Sequence, residues 1–215
     1  MWSWQHAWDS LPVLLEGFRI TLLATVLGFA IAAALGLIVA VLRIALPRWL
    51  SWPLYAVMEF IRLTPLVVQL LFVFYAVPPN VTGLQVGIIV LGVHYSAYMA
   101  EVYRAGIEDV PKGQWEAARA LSLPPARTWR AIILPQAIRK IIPSLGNYAV
   151  SMFKDTPFLF FIFVAEMVTR AQQYGGQTFR YTEPITIAGV IFLIASLVTA
   201  YFIRRLENRY ATQPA

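Results

Sequence analysis

A chain of 215 residues that is 59% hydrophobic and only 13% charged cannot fold as an ordinary soluble domain, where about a quarter of residues carry charge. The absence of cysteine excludes a disulfide framework and any thiolate metal site. A net charge of +6 suits a nucleic-acid binder only if the basic residues share one solvent face, so their positions along the chain decide what it means.

Met1 to Glu16 carries Asp9 and Glu16 but no Lys or Arg, so it lacks the basic start of a secretory signal and no cleavage is expected. Residues 18–43 form the clearest membrane crossing: Ile20 to Leu42 is uncharged, with only Thr21 and Thr25 as hydroxyls, and matches the roughly 20 apolar residues needed to cross. A second crossing is expected over 53–77. It carries Glu59, Arg62, Pro65 and Gln69 and stops at Val77-Pro78-Pro79-Asn80. The third, 84–103, contains His94, Tyr95, Ser96 and Tyr98. The fourth, 136–154, opens with Arg139, Lys140 and Pro143. Phe158 to Val168 is apolar but too short to cross, and reads as a partly inserted outer hairpin rather than a sixth span. A fifth crossing over 184–204 ends at Arg204-Arg205. The fold expected is therefore all-α, a polytopic membrane protein with five transmembrane helices forming one unit over 1–215.

Orientation follows from the basic residues that flank the crossings. With the N-terminus outside, the cytoplasmic side holds Arg43, Arg48, Arg104, Lys112, Arg119, Arg127, Arg130, Arg139, Lys140, Arg204, Arg205 and Arg209, twelve of the 17. The arrangement expected is N-out and C-in, and this bias accounts for the high pI without nucleic acid. Trp2, Trp4 and Trp8 suit the outer interface, and Trp49 and Trp52 the inner one.

Charged groups inside a membrane are costly and face a cavity or a partner. Glu59 and Arg62 are three apart on one helix face and read as a structural ion pair. Thr64, Gln69, His94 and Tyr98 fall near mid-depth, either as packed hydrogen-bonded side chains or as contacts on a solute pathway. Lys154 and Asp155 either neutralise one another or present the separated opposite charges that a zwitterion needs. Glu166, on the outer side, is a candidate contact for an external partner. An enzyme is not expected. His94 and Glu101 alone favour one, the two histidines His6 and His94 cannot build a His-rich metal site, and no G-x-x-x-x-G-K-[ST] phosphate cradle exists.

The loop over 108–135 is the most informative segment. Gln114 to Ser122 favours a short helix that Pro124-Pro125 stops, either a solvated connector or a helix shaped for another protein's groove. Glu116-Ala117-Ala118, three residues, Ser122, nine residues and Ile132-Ile133-Leu134-Pro135 resemble the EAA loop of binding-protein-dependent ABC importer permeases, with Ser122 where the family usually has Gly. Glu59 to Leu70, Tyr103-Arg104-Ala105-Gly106-Ile107 and Lys154-Asp155-Thr156 extend the resemblance to the polar-amino-acid branch from Leu15 to Arg209, with Leu63 where Gly is usual.

The resemblance implies a type I ABC importer permease fold in the bacterial inner membrane. Glu116, Ala117, Ala118, Ser122, Ile132, Leu134 and Pro135 would form the coupling region for an ATPase. The implied partners are an ABC ATPase dimer, a second permease subunit, identical or paralogous, a periplasmic or extracellular solute-binding protein, and membrane lipid. No cofactor is implied on this chain, since ATP and magnesium would sit on the ATPase. Leu11-Pro12, Leu15-Glu16-Gly17, Gly92-Val93-His94-Tyr95, Gln114-Trp115-Glu116 and Lys154-Asp155-Thr156-Pro157 resemble ectoine and hydroxyectoine permeases most, which implies a compatible solute or polar amino acid as cargo. The alternative, an autonomous secondary transporter or channel for a small polar solute, draws on the intramembrane charges but lacks the internal repeats usual in that class.

Overall fold

The computed structural model describes residues 2–211. Met1 and residues 212–215, the two ends of the unit expected over 1–215, lie outside the described residues, as does the side chain of Arg209. All regular structure among the described residues is helical. The architecture starts from α1 (Trp4–Ala45) and α4 (Gly83–Glu108), which form the most extensive helix pair. Ala24, Gly28, Ala32, Gly36 and Ala40 recur every fourth residue and are all buried, giving α1 a smooth stripe that lets another backbone come close. A Cβ on Gly36 would lie 2.9 Å from Met99 Cβ and 3.0 Å from the Ser96 carbonyl, so the approach requires glycine there.

The same contacts give direction. Gly28 faces Leu91 and Gly36 faces Met99, so α1 and α4 run parallel and the chain between them must cross back once. That return is α2 (Arg48–Leu63) and α3 (Leu66–Ala76), which meet at 105°. The stretch expected as a crossing over 53–77 is thus two helices broken at Thr64-Pro65. The cause is Pro65: it has no N–H to continue the helix, and it pushes Thr64 into the extended region, φ −99° and ψ 140°.

Beyond α4 come the helices of the loop, α5 (Lys112–Ala120) and α6 (Pro125–Thr128), a π-helical turn (Trp129–Ile133) and α7 (Leu134–Asp155). α7 runs antiparallel to α4, with Gly106 against Ile141 and Tyr95 against Asp155. A 3₁₀ turn (Thr156–Ile162) leads through Phe163, in the left-handed region at φ 60°, to α8 (Met167–Thr178). The short apolar stretch from Phe158 is therefore a bent connection, and α8 returns against the first half of α1, where the Met167 N–H donates to Thr21 Oγ1 at 3.2 Å. Finally α9 (Thr182–Ala211) runs antiparallel to α7, with Ile203 against Gly146 and Phe192 against Phe153.

Three helical segments, Trp4–Ala45, Gly83–Glu108 and Thr182–Leu206, are long and apolar enough to cross a membrane, and five crossings result if each of two bent pairs counts as one. Val190, Leu193, Ile194, Leu197, Val198 and Phe202 on α9 stay exposed, which is the pattern of a helix packed on one side and covered by lipid or another subunit on the other.

Candidate functional site

Two regions collect the residues singled out from the sequence. The first lies around the bend between α2 and α3. Thr64 Oγ1 turns back on its own helix, donating to the Phe60 carbonyl at 2.9 Å. Gln69, one turn into α3, aims its Nε2 at the Ile61 carbonyl (2.8 Å), the Thr64 carbonyl (3.2 Å) and Thr64 Oγ1 (2.6 Å). Its Oε1 meets His94 Nδ1 of α4 at 3.0 Å. Tyr98, one turn further along α4, donates to the Arg62 carbonyl at 3.3 Å. Thr64, Gln69, His94 and Tyr98 are thus brought together, all at the break.

Tyr98 also belongs to an aromatic group absent from the sequence-based set. Tyr95, Tyr98 and Tyr148 have ring centroids 5.6–6.2 Å apart, and the Tyr95 hydroxyl donates to the Asp155 carboxylate at 2.6 Å. Asp155 is half-buried and Lys154 exposed, and no ion pair joins them among the described residues. The carboxylate is held by a phenol rather than by its neighbour, so the two charges stay apart. Spacing could have revealed the missing tyrosines: Tyr95 sits three residues before Tyr98 on α4, and Tyr148 seven before Asp155 on α7, each on the same helix face.

The Glu59–Arg62 pair is present at 3.4 Å, but it is the edge of a larger network. Arg62 lies 4.0 Å from Glu101 and its guanidinium sits 5.6 Å from the Tyr98 ring centre. Glu101 binds Arg43 of α1 and, at 2.8 Å, Arg104, which reaches Glu108 at 2.5 Å. Three cations and three anions balance where α1, α2 and α4 converge. Glu166, expected outside as a partner contact, has no exposed surface. Its carboxylate instead caps α8, accepting from Val168 N (2.9 Å), Thr169 N (2.6 Å) and Thr169 Oγ1 (2.9 Å).

The second region is the loop. Pro111 precedes α5, and after Ala120 the chain turns through Ser122 at φ 50°. The Leu123 N–H returns to the Ala118 carbonyl (3.0 Å) and the Ser122 N–H to that of Arg119 (2.9 Å), the paired bonds of a Schellman stop. Ser122 therefore makes the left-handed turn that glycine makes without strain, at a cost of about 1 kcal/mol. Glu116 and Ala117 are exposed while Ala118 is buried. Trp115 packs edge-on against Trp129 with centroids 5.2 Å apart, leaving a cleft of about 450 Å³ lined by Lys112, Trp115, Glu116, Arg119, Leu123 and Trp129.

The other end of the motif opens α7. Pro135 in its first turn lacks an N–H, and the preceding π turn, in which the Leu134 N–H reaches the Trp129 carbonyl, absorbs the mismatch. Ile132 and Leu134 are half-buried and Pro135 exposed, around a buried Ile133 that packs with Ile107, Val110 and Ile141. The loop is an exposed helix on a rigid mount.

Residues 32–212 match the family described as binding-protein-dependent transport system inner membrane component. The chain belongs to that family. It is 47% identical to a probable amino-acid ABC transporter permease protein of Sinorhizobium fredii over 200 residues, 92% of this chain and 87% of that protein. It is 34% identical to the glutamine transport system permease protein of Escherichia coli over 213 residues, 96% of this chain and 97% of that one. A solved structure described as an amino acid ABC transporter with histidines superposes with a TM-score of 0.90 at 31% identity, covering 97% of this chain and 99% of the other. The inward-facing methionine ABC transporter MetNI shares the fold, with a TM-score of 0.81 at 20% identity over 97% of this chain and 99% of that one. As a member of this family the chain is an inner-membrane permease subunit of an ABC importer, not an enzyme, and ATP acts through a separate ATPase subunit.

Proposed function

We propose that this permease carries a small zwitterionic solute, a polar amino acid or compatible solute of the ectoine and hydroxyectoine type, through a site built on Asp155 and the Tyr95, Tyr98 and Tyr148 rings. The observation that carries it is the Asp155 carboxylate, held by the Tyr95 hydroxyl at 2.6 Å and not neutralised by Lys154. A carboxylate beside aromatic faces suits the cationic end of a zwitterion, and delocalised cations such as the ectoine ring gain from stacking on phenols. Exposed Lys154, one residue away, suits the carboxylate end.

In the same reading the protein lies N-out and C-in, with the basic loop over 108–135 cytoplasmic. It pairs with a second permease subunit, receives solute from a solute-binding protein and docks the α5 helix in an ATPase cleft. Exposed Glu116 and Ala117, on a helix stopped by a Schellman turn and braced by Trp115 on Trp129, support the docking role. ATP-driven closure of the ATPase pair would then move α5 and, through the packed Ile133 and Ile141, the crossings above it.

The test is uptake into proteoliposomes holding the assembled importer and its binding protein, with ectoine, hydroxyectoine, L-glutamine and L-arginine in competition. Preferential ATP-dependent uptake of ectoine supports the compatible-solute assignment. Preference for glutamine or arginine moves the cargo to the amino acids, and uptake indifferent to Asp155→Asn contradicts the site.

A further inference from the structure

We infer that Gln69 and His94 are positioning residues that lock the bend of the second crossing onto α4, rather than solute contacts. The inference refines the solute site proposed above by removing these two side chains, with Thr64, from the pathway.

The need for a lock comes from Pro65. In a continuous helix the Ile61 carbonyl accepts from the N–H four residues on, and that residue is proline. The Arg62 carbonyl loses its partner too, because α3 departs at 105°. Carbonyls left open at membrane depth must be satisfied from within the protein. Gln69 Nε2 takes the Ile61 carbonyl at 2.8 Å and Tyr98 takes that of Arg62 at 3.3 Å.

The chemistry of these contacts fixes the protons. Carbonyl oxygens only accept, so the Gln69 nitrogen must face Ile61 and Thr64, and its oxygen must face His94. An amide oxygen also only accepts, so His94 Nδ1 must carry a hydrogen, whether the ring is neutral or charged. The donors of Gln69 and Thr64 are then spent, and Nε2 of His94 is the one ring nitrogen that Gln69 does not engage. Both Gln69 N–H groups serve α2, its oxygen holds His94, and Thr64 Oγ1 donates to Phe60 while accepting from Gln69. His94 is buried, its ring flanked by Tyr95 at 5.5 Å and Tyr98 at 5.4 Å. A solute reaching this point finds no free donor on Gln69. What the lock sets is the angle of α3 against α4, and with it the placement of Tyr98.

The test uses the assembled importer in lipid nanodiscs with ring-¹⁵N-labelled histidine, the His94 resonances being isolated by difference against His94→Gln. A protonated Nδ1 is expected, and a bare Nδ1 with a protonated Nε2 would overturn the inference. ATP-driven uptake of L-glutamine and of ectoine as probe solutes supplies the second arm. His94→Gln keeps a donor for the Gln69 oxygen and should retain uptake within about twofold, while His94→Leu and Gln69→Leu should each lose about tenfold. Loss in His94→Gln as deep as in His94→Leu would mean that the imidazole itself is required, and would contradict the positioning role. The nitrogen spectrum stands even if neither probe is carried, so failure of the solute assignment and failure of the lock are distinguishable.

Discussion

The loop over 108–135 and the bend between α2 and α3 each end a helix, but by different devices. In the loop, α5 stops at a Schellman turn through Ser122, Pro124 and Pro125 open α6, and the result is an exposed helix. At the bend, Pro65 strands the Ile61 and Arg62 carbonyls; Gln69 Nε2 donates to the first, Tyr98 donates to the second, and His94 holds the Gln69 oxygen. The difference teaches that a helix closed by its own backbone turn leaves side chains available for recognition, while one broken by a proline consumes them on the stranded carbonyls.

The largest effect expected falls on the loop. Replacing Glu116 and Ala117 together by arginine puts two bulky cations on the exposed face of α5 without touching its buried Ala118. The permease should still fold, and co-purification of its ATPase should drop by more than about tenfold, given the 2–5 kcal/mol that such a contact commonly carries. Retained ATPase would show that α5 is only a connector. Next is Asp155→Asn, which keeps an acceptor for the Tyr95 hydroxyl but removes the charge. ATP-driven uptake should fall by about tenfold or more with the ATPase still bound, in line with the worth of a charge-assisted contact.

The two regions meet at Glu101, and Glu101→Gln probes that junction. It leaves Arg43, whose side chain is only 12% exposed, without its anion, so the solubilised complex should lose about 2 kcal/mol of stability, seen as a lower thermal midpoint. An unchanged midpoint would mean that the network contributes nothing net. The smallest effect is at Ser122→Gly. Relief of the left-handed strain should slow amide exchange around Leu123 by up to about fivefold, for a gain of at most about 1 kcal/mol. Faster exchange would mean that the serine side chain itself supports the turn.

What could be read in advance follows the same division. The loop was legible because its chemistry is local: small residues, a stop and two prolines at fixed spacing dictate a short exposed helix whatever surrounds it. The long apolar helices α1, α4 and α9 were legible from their apolar length, and the Glu59–Arg62 pair from its three-residue spacing. The bend was not, because Pro65 inside an apolar stretch fits a kinked crossing as well as a broken one, and only packing against α4 decides between them. The pairing of Glu101 escaped for a related reason. Its partner Arg43 lies 58 residues away, and nothing in the local pattern announces a pairing across that distance. Glu166 was misplaced because its local sequence looks like an outer loop, whereas its carboxylate is consumed by the first turn of α8.

The most direct test of the division between a coupling loop and an intramembrane solute site is to measure ATPase co-purification and ATP-driven uptake on the same preparations of the Glu116/Ala117 double variant and of Asp155→Asn. The result expected is a separation: the loop variant loses its ATPase, and the Asp155 variant keeps it but does not transport. An Asp155 variant that transports like the wild type, or a loop variant that retains its ATPase, would contradict it.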